Sequence, residues 1–270
     1  MAALAGAHGE RVMRARDLLT AKGRREQQRF LFEGPTLLDE AIRSGIHIEE
    51  LYVAERIFGT NPTVSALDDQ PDRVFIVDDR TMNKLSDVET PTGIIAVAPL
   101  RYAPLEALLA GSRTLVLADL NDPGNAGTLL RSAEAFGVGG VVFGNLGVDP
   151  YHPKVVRGAM GAIFRLQVAV ADPTAFGSAA AAAGATVIGL DARGESLASS
   201  DWPGRSAIVV GHERRGLGPW EAFCTRRVAI PMRQASESLN ASVAGSIALY
   251  VASQHDASQE GAADAAPGLT

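Results

Sequence analysis

The segment Asp119-Leu-Asn-Asp-Pro-Gly-Asn-Ala-Gly-Thr-Leu-Leu-Arg-Ser-Ala-Glu-Ala-Phe136 is a polar, turn-rich loop that breaks directly into a helix. It follows Thr114-Leu-Val-Leu-Ala118, a short apolar run suited to a buried parallel strand. Between the two, Asp122-Pro-Gly-Asn125 supplies turn and N-cap chemistry. A strand, loop and helix in this order place their polar residues at the C-terminal end of a strand, where open α/β sheets bind ligands. Asn125 and Arg131 are then expected to project into one crevice, from the loop and from the helix it opens. Taken alone, Asn125 reads equally well as a helix cap and Arg131 as a solvated surface charge.

Two later segments repeat the pattern. Ile208-Val-Val-Gly-His-Glu-Arg-Arg-Gly-Leu217 is a strand ending in a Gly-rich polar loop. Ile230-Pro-Met-Arg-Gln-Ala-Ser-Glu-Ser-Leu-Asn-Ala-Ser-Val-Ala244 is a strand-end loop that runs into a helix of small residues. With all three in order, the chain resembles the SpoU (TrmH-type) family of RNA ribose 2′-O-methyltransferases, which share the knotted SPOUT fold. Asn125, Arg131 and Glu134 fall in the first motif, Gly211, Glu213 and Gly216 in the second, and Ser238-Leu239-Asn240 in the third. Asp149-Pro-Tyr-His-Pro-Lys-Val-Val-Arg157 and Met160-Gly-Ala-Ile-Phe164 look like the family's linking segment, so the likeness covers roughly 114–254. Residues 22–42 look like the substrate-binding domain that precedes the catalytic domain in many members.

The composition suits two modest domains: 270 residues, of which 46% are hydrophobic, can bury two cores. No apolar run reaches the roughly 18 residues that span a bilayer, and no signal-peptide core is present, so a soluble, cytoplasmic protein is expected. Cys224 is the single cysteine, best read as an inert buried thiol. A net charge of −6 argues against an RNA partner, because phosphate neutralisation dominates nucleic-acid affinity. The distribution argues the other way. Residues 10–30 hold seven cations (Arg11, Arg14, Arg16, Lys22, Arg24, Arg25 and Arg29) against Glu10, Asp17 and Glu26, and residues 151–165 hold Lys154, Arg157 and Arg165 with no acid. Charge runs are usually solvated faces. Here they coincide with the segments that the resemblance gives to substrate binding, so Arg24, Arg25, Arg29, Lys154 and Arg157 are the candidate RNA contacts.

Along the chain, a helical pattern at 34–44, strands at 51–53 and 74–77, a helix near 80–86 and a strand at 93–97 read as a small α/β domain, residues 10–98. A linker over 99–112 precedes a second domain over 113–256, with strands near 114–118, 140–143, 166–170, 186–190, 207–210 and 228–230. Residues 257–270, rich in Ala, Gly and Asp, are expected to be a disordered tail. Periodicity therefore predicts an α/β fold with a largely parallel six-stranded sheet behind a small α/β substrate-binding domain. The trefoil knot, with the 240–254 helix passing a loop formed by 186–216, comes from the resemblance only, since knots are very rare.

The resemblance implies S-adenosylmethionine as cofactor, bent against backbone groups of Leu190, Gly211, Ile230 and Leu239, and a homodimer as the assembly. No metal-ligand spacing is present, and Gly137, Gly139, Gly140 and Gly144 do not make a dinucleotide fingerprint. A ribose 2′-OH is a poor nucleophile, so its proton must be removed or polarised. By resemblance Arg131 acts at the catalytic position, Glu213 orients it, Asn125 and Asn240 shape the site by hydrogen bonding, and Ser238 sets loop geometry; Glu134 and His212 take structural roles. Whether Arg131 removes the proton itself or stays charged and stabilises the alkoxide is left open by sequence. The expected substrate is ribosomal RNA, chiefly 23S. The alternatives are a tRNA 2′-O-methyltransferase, an idle RNA-binding or ribosome-assembly factor on the same fold, and a small-molecule nucleotide enzyme.

Overall fold

The computed structural model describes residues 3–4, 9–65, 73–233 and 239–264. The chain forms two compact units, Met1–Arg101 with Asp149–Arg165, and Tyr102–Val148 with Leu166–Thr270.

In the first unit, β1 (Ala3–Leu4), α1 (Glu10–Asp17), α2 (Ala21–Gln27), β2 (Arg29–Glu33), α3 (Pro35–Arg43), β3 (Glu50–Ala54), α4 (Pro62–Ser65), β4 (Val74–Val77), α5 (Asp79–Leu85) and β5 (Ile94–Pro99) follow in order. The sheet is mixed, in the order β1-β4-β3-β5-β2. Its β2 and β3 both run antiparallel to β5. Strand β2, Arg29-Phe-Leu-Phe-Glu33, is not anticipated by the sequence. Its three apolar residues are all buried, and so short a continuous run carries no period to distinguish strand from helix. Val12, Ala15 and Leu18 of the α1 region pack with Tyr52, Phe75, Ile95 and Val97 as one core.

The second unit is built on α6 (Leu105–Ala110), β6 (Thr114–Leu117), α7 (Pro123–Ala135), β7 (Gly140–Gly144), then, beyond the helices α8 (Pro153–Ala159) and α9 (Ala162–Arg165), β8 (Gln167–Ala171), α10 (Pro173–Ala183), β9 (Thr186–Ser196), β10 (Ser206–Val210), β11 (Arg226–Ala229) and α11 (Ala241–Asp264). Its six strands are all parallel, in the order β11-β9-β10-β6-β7-β8. Every residue of β6, β7 and β10 is buried, as expected of a parallel sheet covered on both faces. From β6 the chain builds outward through β7 and β8, then returns to the other side for β9, β10 and β11. The topological switch therefore falls between β6 and β10, at the edge where all the strands end. Helix α11 closes on this sheet at Gly245, where a Cβ would come within 2.5 Å of the Leu129 side chain and 3.0 Å of Val210. Ser132 and Ser246 hydrogen-bond across α7 and α11 at 2.7 Å.

Two segments differ from the sequence reading. Asp149–Arg165, read as part of the second domain, belongs to the first unit, where Tyr151 and Phe164 stack on Phe30 (ring centroids 4.6 and 6.5 Å) and Phe164 on Phe32 (5.1 Å). Helix α11 runs on to Asp264, past the expected start of a tail at 257. Alanine is the strongest helix former, and Ala257, Ala262 and Ala263 extend a helix already nucleated by packing upstream.

Candidate functional site

Because the second sheet is parallel throughout, the loops after β6, β9, β10 and β11 all emerge at one edge. Asp122 is the N-cap of α7, its carboxylate accepting from Asn125 N at 2.7 Å. Asn125 is therefore not the cap, and its side-chain amide is free for other work. Its Nδ2 donates to Glu213 Oε1 at 2.8 Å, and its Oδ1 accepts from Asn240 Nδ2 at 2.9 Å. Asn240 in turn caps α11, its Oδ1 accepting from Ser242 N at 2.8 Å and from the Ser242 hydroxyl at 2.7 Å. One carboxamide, Asn125, thus joins three chain segments that lie 88 and 115 residues away in sequence.

The loop after β10 is shaped by glycine. A Cβ on Gly211 would come within 2.4 Å of the Gly216 backbone, and Gly216 itself has φ +60°. This close approach allows His212 and Gly216 to exchange two backbone hydrogen bonds of 2.9 Å, presenting Glu213, Arg214 and Arg215 at the tip of a tight hairpin. His212 Nδ1 accepts from Arg214 N at 3.0 Å, so the neutral ring carries its proton on Nε2. The 3.1 Å contact of Nε2 with the Asn121 side-chain amide then requires the amide oxygen as acceptor, with the NH₂ turned away. Asn121 and Asn125 of one loop so hold His212 and Glu213 of the other.

Beneath these loops lies Asp119, which sequence reasoning passed over. It is 7% exposed with φ +53°, a left-handed conformation whose cost is on the order of 1 kcal/mol for a non-glycine residue. Its carboxylate accepts from Trp220 Nε1 at 3.0 Å and from Leu146 N at 3.2 Å. No local signal marks it, because Trp220 is 101 residues away.

Leu190, Ile230 and Leu239 line one cavity of about 180 Å³ with Val228, Met232 and Ala244, at the ends of β9 and β11. Gly211 lies on the neighbouring loop and is not part of that lining. The walls are apolar side chains, with Asp191 at the margin, its carboxyl pushed down to about 2 chiefly by hydrogen bonds from Arg193. A slot of this chemistry fits an adenine ring and a thioether chain, so the residues present suit S-adenosylmethionine. A larger cavity of about 610 Å³ lies beside β11. Its arginines are already paired, Arg193 with Asp191, Arg226 with Glu195 and Arg227 with Glu221. Cys224 borders it, with its thiol pushed up to about 11 mainly by burial.

The remaining candidates separate. Arg131 is exposed on α7, six residues or about 9 Å of helix rise beyond Asn125, and its side chain forms no hydrogen bond or ion pair with a described residue. The structure does not bring it into the Asn125 cluster. Ser238 lies outside the described residues. Among the candidate RNA contacts, Arg24 is 2% exposed: its Nε and Nη2 donate to Asp149 Oδ2 at 2.8 and 2.6 Å, and its Nη1 to the carbonyls of Leu18 and Leu19. Arg29 bonds Glu50 and Gln27, and Arg157 grips both oxygens of Asp87 at 2.7 and 3.2 Å. Arg24 is thus a structural residue, and Arg29 and Arg157 are neutralised in place. Arg25 and Lys154 stay exposed.

Residues 112–250 match the SpoU rRNA Methylase family, and residues 9–96 the MRM3-like substrate binding domain. The 23S rRNA (guanosine(2553)-2'-O)-methyltransferase RlmP of Bacillus subtilis strain 168 is 27% identical over 254 residues, 93% of this chain and 98% of that protein. A 23S rRNA (uridine(2479)-2'-O)-methyltransferase of Streptomyces viridochromogenes is 33% identical over 174 residues, 61% of each chain. Among solved structures, the AdoMet-bound rRNA methyltransferase from Sinorhizobium meliloti is similar with a TM-score of 0.81 at 25% identity, covering 92% of this chain and 95% of that one. No helix of the described residues is long and apolar enough to cross a membrane. The match over more than half of the chain, on the segments that converge at Asn125, gives the assignment: the chain belongs to the SpoU rRNA methylase family of S-adenosylmethionine-dependent RNA 2′-O-ribose methyltransferases.

Proposed function

We propose that this protein methylates the 2′-hydroxyl of one ribose in 23S ribosomal RNA. The observation that carries the reading is the Asn125 bridge, which draws Glu213 and Asn240 together beside an apolar cavity at the switch edge of the sheet. The 23S preference follows the Bacillus and Streptomyces relatives, both described as 23S enzymes, and the match of residues 9–96 to a substrate-binding domain.

S-adenosylmethionine, held by Leu190, Ile230 and Leu239 with Gly211 giving its loop the needed close turn, supplies a methyl already made electrophilic by the sulfonium. The protein's work is on the acceptor. Asn125 fixes Glu213 and Asn240, so the acceptor edge is ordered before RNA arrives. Arg131 stays charged, because a guanidinium titrates above about 12. Exposed and without a carboxylate partner among the described residues, it is available to clamp a phosphate and stabilise the alkoxide, while the proton passes to Glu213 or water. Ser238 shapes the loop between β11 and α11.

The distance of Arg131 from the bridge within one chain supports a homodimer, paired through α7 and α11, in which one subunit's Arg131 serves its partner's site. Val243 and Tyr250 on α11, 46% and 51% exposed, suit such a face. We place the knot at α11, passing the loop formed by 186–216, and the protein in the cytoplasm with its ribosomal substrate. Residues 10–98 bind the RNA, with Arg25 and Lys154 among the contacts. Transfer of labelled methyl to unmodified 23S, 16S and transfer RNA tests the choice: label in 23S alone is expected, and label in transfer RNA alone would reverse it.

A further inference from the structure

Another feature of the same edge has no place in the methyl-transfer step. The tip of the 212–216 hairpin is held from three sides, by the paired His212 and Gly216 backbone, by Arg214 N on His212 Nδ1, and by Asn125 on Glu213. From this rigid tip the side chains of Arg214 and Arg215 are exposed, and neither side chain forms a hydrogen bond or ion pair with a described residue. The acids nearby are all engaged: Glu213 with Asn125, Asp122 with the α7 N-terminus, and Asp119 with Trp220 and Leu146. Below the tip is an open pocket of about 80 Å³, lined by Ala118, Asp119, Leu146, His212, Arg215 and Pro219 among others. Leu146 on its rim is 71% exposed, and its loop is fixed by Gly147 N on Gly144 O and Val148 N on Leu120 O.

An apolar slot with two unpaired guanidinium groups at its mouth matches a nucleotide, which presents a flat apolar face and an anionic phosphate together. We propose that this pocket is an RNA subsite that takes a nucleotide flanking the methylated one, its base against Leu146 and Pro219 and its phosphates on Arg214 and Arg215. The inference rests on the RNA reading above and adds a second point of grip, adjoining the Asn125 bridge because His212 and Glu213 are consecutive residues. Fixing a neighbouring nucleotide would set which ribose faces the acceptor site, so the pocket acts on specificity and not on the transfer step.

Filter binding of transcribed, unmodified 23S RNA to the full-length protein across a salt series, without methyl donor, is the test. Arg214→Gln with Arg215→Gln should lower the salt slope by roughly 1.4 to 1.8, about 0.7 to 0.9 per lost phosphate contact. Leu146→Ala should weaken binding about fivefold with the slope unchanged, as expected from loss of a base contact alone. S-adenosylmethionine binding should stay within about twofold in all variants, which shows that the fold is intact. An unchanged slope in the double variant overturns the subsite, and a lowered slope with Leu146→Ala silent overturns its base pocket. If the wild-type protein binds and methylates RNA while the variants match it, only the subsite fails. If the wild-type protein neither binds nor methylates RNA, the functional reading fails with it.

Discussion

Arginines in the first unit and arginines at the loop edge of the other unit are alike in sequence and differ in state. Arg24, Arg29, Arg157 and Arg165 each meet a carboxylate, on Asp149, Glu50, Asp87 and Glu40. Arg131, Arg214 and Arg215 are exposed and meet none among the described residues. Local charge balance therefore misdirects. Residues 10–30 are net basic, yet their most buried cation is cancelled by an acid 125 residues away, whereas the short hairpin beside Glu213 carries little net charge and presents two guanidinium groups to solvent. A cation is available to RNA only if the fold has left it unpaired.

The largest expected effect lies in the second unit. Arg131→Ala should lower methyl transfer by about a thousandfold while cofactor affinity in calorimetry stays within about twofold, because the guanidinium works on RNA. Arg131→Lys should fare little better, since an ammonium lacks the planar fork. Loss of cofactor binding in either variant would move Arg131 out of the acceptor site. Asn125→Ala removes both arms of the bridge and should cost about a hundredfold in kcat through misplacement of Glu213 and Asn240. A thermal midpoint that fell in step with that rate would instead make the bridge structural.

In the first unit the same class of change should act on stability. Asp149→Asn leaves a nearly buried Arg24 without its counter-charge and should cost about 3 kcal/mol in denaturant unfolding. The paired replacement Arg24→Met with Asp149→Leu should recover most of that loss. If Asp149→Asn were silent in unfolding but weakened RNA binding, Arg24 would belong with the RNA contacts after all. Deleting residues 1–98 should give a poorly soluble fragment, because Tyr151, Val155, Val156, Ile163 and Phe164 would lose the β2 face that buries them. A soluble, cofactor-binding fragment would show that 149–165 folds without it.

The smallest effect concerns Cys224. With its thiol raised to about 11 by burial, the thiolate fraction at pH 8 is about 0.1%, against roughly a quarter for a free thiol near 8.5. Alkylation by iodoacetamide should be about two-hundredfold slower than for free cysteine, and should rise about tenfold per pH unit up to that point. Prompt labelling of the native protein at pH 8 would contradict this burial.

The meeting of Asn125, Glu213 and Asn240 was legible in sequence because each sits in a loop directly after a strand of a parallel sheet, and such loops share one edge. The pairing of Arg24 was not legible, since nothing near Gly23-Arg24-Arg25 points to Asp149. The cap was misplaced by three residues for a local reason: Asp122 and Asn125 are both good caps, and Pro123 at the first helical position decides for Asp122. Asp119 and its left-handed backbone depend on Trp220 and on the close approach at Gly144, which only the packed sheet reveals.

If the edge carrying the Asn125 bridge delivers methyl to a ribose oxygen, the product itself will show it. Unmodified 23S RNA incubated with the protein and labelled S-adenosylmethionine, then digested to nucleosides and resolved by mass spectrometry, is the direct test. The expected result is one 2′-O-methylnucleoside carrying the label, absent with Arg131→Ala. Label on a base, or on several nucleosides at equal levels, would contradict it.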